Sequence, residues 1–180
     1  IFDSLYDLKE FKSEDEHEIE LVKQPPFGKD FYSIRAESDK LIRNTDQKVA
    51  INAPKSFHLD AYCFDSNPEN ALFLDLLADQ KVKKVYFTGM LTHGQTDFFI
   101  QYIDPESHTV KRYYPDFLVQ LEDESWLIVE VKGDNLIEAS VVQAKAQYAR
   151  QLATASNMTY KIIKGTDAEA GNYKQLFSLN

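Results

Sequence analysis

The segment Trp126–Lys132, reading WLIVEVK, constrains this chain more than any other. In an extended conformation successive side chains alternate, so Trp126, Ile128, Glu130 and Lys132 share one face and Leu127, Val129 and Val131 the other. Both faces begin apolar. A strand of that kind sits in the middle of a sheet and is covered on both sides. One of its faces nevertheless ends in a carboxylate and an ammonium two residues apart.

A second β-rich run, VKRYYPDFLVQL, precedes it across the turn Glu122–Ser125, and the two predict a hairpin. On this run Tyr114, Asp116 and Leu118 share a face. The loop decides what Asp116 meets. An even loop, for example a two-residue turn at Asp123-Glu124, sets Asp116 opposite Val131 and turns it away from Glu130 and Lys132. An odd offset, from a three- or five-residue loop or a bulge near Asp116, brings Asp116 and Glu130 to one face. Two carboxylates and a lysine then converge at one end of the hairpin.

That grouping suits hydrolysis of a phosphodiester. A hard cation such as Mg²⁺, with Mn²⁺ as a substitute, takes carboxylate and carbonyl oxygens and keeps several waters. Asp116, Glu130 and the backbone carbonyl of Val131 are the expected ligands. The cation would neutralise phosphate charge and lower the pKa of a bound water. Lys132 would orient that water and stabilise developing negative charge. Carboxylates so placed repel one another without a cation, so neutralising one is expected to leave the metal-free fold no less stable.

The rest of the chain frames this pair. Asn67 reads as an N-cap and Pro68 as the first residue of a helix running to about Asp79, with an apolar stripe at Leu72, Phe73, Leu76 and Leu77. VKKVYFTG and TDFFIQYID read as strands. A long helix is expected from roughly Asn135 to Ala155, with its stripe at Ile137, Val141, Ala144, Tyr148 and Leu152, followed by the strand MTYKIIKG. The order helix, strands, helix, strand implies an α/β fold, a mixed sheet with helices against its faces. Residues 67–180 form that core. Residues 1–66 read as a β-rich N-terminal extension, with an acidic run at Glu14-Asp15-Glu16, the turn QPPFGKD, and β-like runs near Phe31–Ile34, Val49–Ile51 and Phe57–Phe64.

Asp116 preceded by Pro115, a 13-residue gap, then Glu130-Val131-Lys132 resembles the PD-(D/E)XK nuclease superfamily. The surrounding RYYPDFLV and WLIVEVKG look like the nuclease domain of type III restriction enzyme Res subunits and related helicase-linked nucleases. The resemblance covers roughly residues 67–165 and implies a restriction-endonuclease-like core. It also implies Mg²⁺-dependent endonuclease action on DNA. In that superfamily a glutamate on the first helix often completes the metal site, and Glu69 matches it by position. A polar residue on the second helix often touches the substrate phosphate, a place for Lys145 or, second, Gln143. The exonuclease branch spaces Gln and Tyr four apart there; here Gln143 and Tyr148 are one position further apart.

Composition sets limits on partners. The 180 residues carry a net charge of −9, which argues against an autonomous DNA-binding module and for DNA delivered by other domains or subunits. The apolar runs are too short to span a membrane. The lone Cys63 forms neither a disulfide nor a zinc pattern with the histidines, which fits a cytoplasmic protein. GMLTHGQT, residues 89–96, mimics a phosphate-binding loop, but Gln95 replaces its lysine and a strand follows, so no nucleotide cofactor is expected. Two other functions share the pattern. One is a non-catalytic nucleic-acid-binding or scaffold module on the nuclease fold, against which the intact Asp, Glu and Lys speak. The other is a nuclease acting on RNA or branched DNA.

Overall fold

A computed structural model describes residues 19–25, 28–33 and 37–178. The acidic run Glu14-Asp15-Glu16, part of the QPPFGKD turn (Pro26 and Phe27) and Ile34 lie outside these residues. The central sheet has four strands in the order β3 (Val82–Phe87), β6 (Phe117–Leu121), β7 (Trp126–Lys132) and β8 (Met158–Lys164), once β1 (Leu41–Arg43), β2 (Ala61–Cys63), β4 (Ile100–Ile103) and β5 (Val110–Tyr113) are counted along the chain. β3, β6 and β7 are antiparallel neighbours, and β8 runs parallel to β7. β1 with β2 and β4 with β5 form separate two-stranded ladders. This mixed α/β architecture is that of a restriction-endonuclease-like fold.

Helix α1 (Asn67–Ala78) begins one residue earlier than its sequence suggested. Ser66, not Asn67, is the N-cap: its hydroxyl accepts the Glu69 N–H while Glu69 Oε2 accepts the Ser66 N–H at 3.1 Å. Serine followed three residues later by glutamate satisfies two orphan donors reciprocally, and this outweighs the single bond Asn67 could offer. Leu72, Phe73, Leu76 and Leu77 are buried against the sheet as the stripe predicts.

Helix α2 (Ser140–Ala155) makes the crossover from β7 to β8, and here the sequence expectation needs correction. The chain leaves β7 through a 3-10 turn at Asp134–Leu136, pinned where Asp134 Oδ2 accepts the Thr166 hydroxyl at 2.7 Å. The helix therefore starts at Ser140 rather than near Asn135. Its buried line is Ala146, Ala149 and Ala153, with Val141, Ala144 and Tyr148 at the flank and Leu152 43% exposed. Alanines let the helix axis approach the sheet closely, so the larger residues are displaced to the sides.

The two faces of β7 feed two cores. Leu127, Val129 and Val131 pack with α1, and Ile128 packs with α2 and the β4–β5 ladder. Ile42, Val49, Tyr62 and Phe64, from the segment before α1, are buried in the α1 core. Of the strands in that segment, β2 falls inside the expected Phe57–Phe64 run, whereas β1 lies outside all three expected runs. Val49–Ile51 is a series of turns, and Phe57, at φ 61, breaks its run. Val49 is buried without being in a strand, a role that local propensity does not distinguish from strand, whereas Phe31 and Ile51 are exposed. Among the described residues, no helix is long and apolar enough to cross a membrane.

Candidate active site

The loop after β6 settles the offset. Leu121 N–H donates to the Ser125 carbonyl at 2.9 Å, and Glu124 N–H returns to the Leu121 carbonyl at 3.0 Å. Glu124 takes the left-handed conformation, φ 69, so the connection is a three-residue loop ending in a bulge. The resulting register pairs Gln120 with Trp126 and Phe117 with Val129. Run on by one residue, it sets Asp116 opposite Glu130, with their side chains on one face. That is the face α2 covers.

Pro115 ends the ladder in a particular way. In an antiparallel pair every second residue turns its backbone groups toward the neighbouring strand, so Leu127, Val129 and then Val131 face β6. Opposite Val131 stands Pro115, which has no N–H to give. Asp116 compensates on one side only: its Oδ2 accepts the Val131 N–H at 2.7 Å. The Val131 carbonyl faces no strand donor. The end of β3 holds this corner in place, because the Asp116 carbonyl accepts Thr88 N–H at 2.8 Å and Gly89 N–H at 3.2 Å. The buried Thr88 hydroxyl donates to the Pro115 carbonyl at 2.7 Å. A Cβ on Gly89 would lie 3.2 Å from Asp116 Cα and 3.3 Å from its Oδ1, so a side chain there would press on the carboxylate.

Glu130 is 3% exposed, with Lys132 Nζ at 2.5 Å from Oε1. Its Oε2 is buried with no hydrogen-bond partner. Burial raises the pKa of Glu130, against the pull of Lys132. The Asp116 carboxyl is pushed well above the ordinary range by burial and by the Glu130 charge. Lys132 loses solvation on burial, yet the charges of Glu130 and Asp116 hold its pKa above the usual value. One ammonium thus stands between two carboxylates and offsets only one of their charges.

The remaining candidates divide. The Glu69 charge bears on both Asp116 and Lys132, and its own pKa is raised, mainly by burial. Its Oε2 is engaged by the Asp65 and Ser66 N–H groups. Lys145, on α2, is near enough to feel Glu130 and Asp116, and burial with the Lys132 charge lowers its pKa. Gln143 is exposed, and its side-chain amide donates to the Ile137 carbonyl at 2.7 Å, away from this group. Sequence reasoning passed over Thr88, Gly89, Tyr113 and Tyr160. Tyr113 and Tyr160 are buried on the site's face, and both hydroxyl pKa values are raised, first by burial. Only the Thr-Gly pair at a strand end was a visible signal for any of them.

The cap and the charge of Glu69 are separable. Glu69→Ala will lower stability by about 1 kcal/mol through loss of the capping box. Glu69→Gln, which keeps a side-chain acceptor, will hold stability within about 0.5 kcal/mol of native. If the charge serves the site, Gln will still lose activity; equal stability losses for Ala and Gln in thermal melts would contradict the capping account.

Among the described residues, no group of three or more His, Cys, Asp or Glu side chains is gathered to hold a metal ion. The groups that could hold one are two carboxylates and the Val131 carbonyl, with one buried carboxylate oxygen unpaired. Hard oxygen donors in this number fit a cation that keeps most of its waters, as Mg²⁺ does. No curated protein matches the chain. Residues 79–165, from the end of α1 through β8, match the family model for the TnsA-like endonuclease N terminal, a likeness that supports the PD-(D/E)XK superfamily and an endonuclease domain.

Proposed function

We propose that the chain is a Mg²⁺-dependent endonuclease domain hydrolysing DNA phosphodiester bonds, as the nuclease part of a restriction or helicase-linked enzyme. The observation that carries this reading is the buried Glu130 carboxylate, one oxygen unpaired, set across the hairpin from Asp116. A merely structural carboxylate at 3% exposure would have its acceptors satisfied. Asp116, Glu130 and the Val131 carbonyl would hold the cation, with Glu69 beside them. The bound cation would supply charge neutralisation at the phosphate and a more acidic water.

The chain's own groups do the rest. The Val131 N–H fixes the Asp116 carboxylate, so its second oxygen is aimed without further ordering. Lys132 holds Glu130 ionised through Oε1 and presents its remaining protons to the attacking water and the developing charge. Lys145 contacts a substrate phosphate. With a net charge of −9, the chain has little non-specific affinity of its own, and other domains or subunits bring the DNA.

The test is plasmid and linear DNA incubated with Mg²⁺, Mn²⁺ or EDTA. Cleavage is expected with either cation and none with the chelator. Cleavage that persists undiminished in EDTA would overturn the metal-dependent reading.

A further inference from the structure

Resting on that reading, we propose that Tyr102 and Tyr113 are positioning residues, whose ring faces hold the Lys145 ammonium unpaired and ready for a substrate phosphate. Lys145 Nζ lies 5.5 Å from the centroid of Tyr102 and 5.5 Å from that of Tyr113. Both distances fall within the reach of a cation–π contact. The rings themselves meet edge to face, centroids 6.4 Å apart at 78°, and each tyrosine is 5% exposed. They come from the buried side of the β4–β5 ladder, against which α2 packs. The ladder therefore gives α2 a rigid aromatic floor beneath Lys145.

What Lys145 does not do is as informative. Two carboxylates act on it, yet among the described residues it forms no ion pair, while Lys132 takes Glu130 at 2.5 Å. A flexible lysine beside buried carboxylates would ordinarily fold onto one of them. Ring faces attract the ammonium without using up its hydrogen-bond donors, and they limit the rotamers of a side chain rich in them. The cation is left charged, ordered and free to donate. An incoming anion of tetrahedral oxygens, the phosphate of a nucleic-acid backbone, is the partner such a group fits. The Tyr113 hydroxyl is buried beside that of Tyr160, so the ring rather than the hydroxyl is what this position offers the lysine.

Two measurements test this. Proton NMR of the native chain should show the Lys145 side-chain methylenes shifted upfield by the rings, a shift lost in Tyr102→Leu and kept in Tyr102→Phe. In cleavage of a duplex oligonucleotide, Lys145→Ala should lower the slope of log(kcat/KM) against log salt by about 1. Tyr102→Leu should raise KM roughly 3- to 10-fold with a similar loss of slope, add nothing to Lys145→Ala, and be rescued by Phe. A Tyr102→Leu chain with lowered melting temperature but native KM and slope would make the rings structural only and overturn the proposal. The two readings fail separately. A native chain that cleaves nothing overturns the nuclease reading and this one with it, whereas Asp116-dependent cleavage indifferent to Lys145 or to the rings overturns the cradle alone.

Discussion

Asp116→Ala will reduce Mg²⁺-dependent cleavage by roughly 10³-fold or more, the order at which loss of one preorganised charge partner is felt in a transition state. The structure makes the companion variant more informative. In the native chain Asp116 does two things: one oxygen accepts the Val131 N–H, and the carboxylate as a whole faces Glu130 across the hairpin. Asp116→Asn keeps volume and an acceptor for Val131 but removes the charge. If the side chain served only to finish the ladder where Pro115 cannot, Asn would be nearly as good as Asp. If it serves to hold a cation, Asn will fail almost as badly as Ala. Initial rates on supercoiled plasmid, with circular dichroism to verify that both variants fold, separate the two. Native-like cleavage by Asp116→Ala would remove the basis of the assignment.

Much of this arrangement was legible because it follows from periodicity and steric rules. A strand apolar on both faces implied a covered sheet, and the alternation of side chains implied that an odd offset alone could unite Asp116 with Glu130. What the sequence could not supply was which odd device is used. Glu124 in the left-handed conformation, where glycine is commoner, ends the three-residue loop, and no local preference announces it. The α2 stripe was misplaced because periodicity ranks residues by hydrophobicity, whereas close packing selected the small ones, Ala146, Ala149 and Ala153. Thr88 and Gly89 were not placed at the site because their role there is a long-range backbone contact to Asp116. The tyrosines under Lys145 read as ordinary strand aromatics until the β4–β5 ladder was folded against α2. Glu69 was singled out for its charge, and the structure adds a cap that sequence had not separated from it.

The metal-free protein carries the electrostatic cost of this site, and that cost has a sign that can be measured. Burial raises the folded-state pKa of both Asp116 and Glu130, and the Glu130 charge raises Asp116 further. A carboxyl with a raised folded pKa binds its proton more tightly in the native state than in the unfolded one. Its stabilising contribution is therefore fully present below about pH 4, the unfolded value, and is lost as pH rises through the folded value. Without metal, the native chain should lose melting temperature as pH increases from about 4 toward neutrality. Asp116→Asn cannot titrate, yet it keeps an acceptor for Val131 and leaves the Glu130–Lys132 pair intact. It should fall less steeply and melt higher than native at pH 7, by about 2–4 °C for each kcal/mol of repulsion relieved. At about pH 3, where Asp116 is protonated in the unfolded chain too, most of that advantage should be gone. Mg²⁺ should then reverse the order, because a cation that binds only the folded native site stabilises it by mass action and finds a weaker site in the variant. Thermal melts of both proteins at acid and neutral pH, with and without Mg²⁺, decide the matter. If Asp116→Asn is markedly less stable than native at pH 7 without metal, Asp116 is a structural partner of Lys132 and Val131, and the crowded-carboxylate account of the site is wrong.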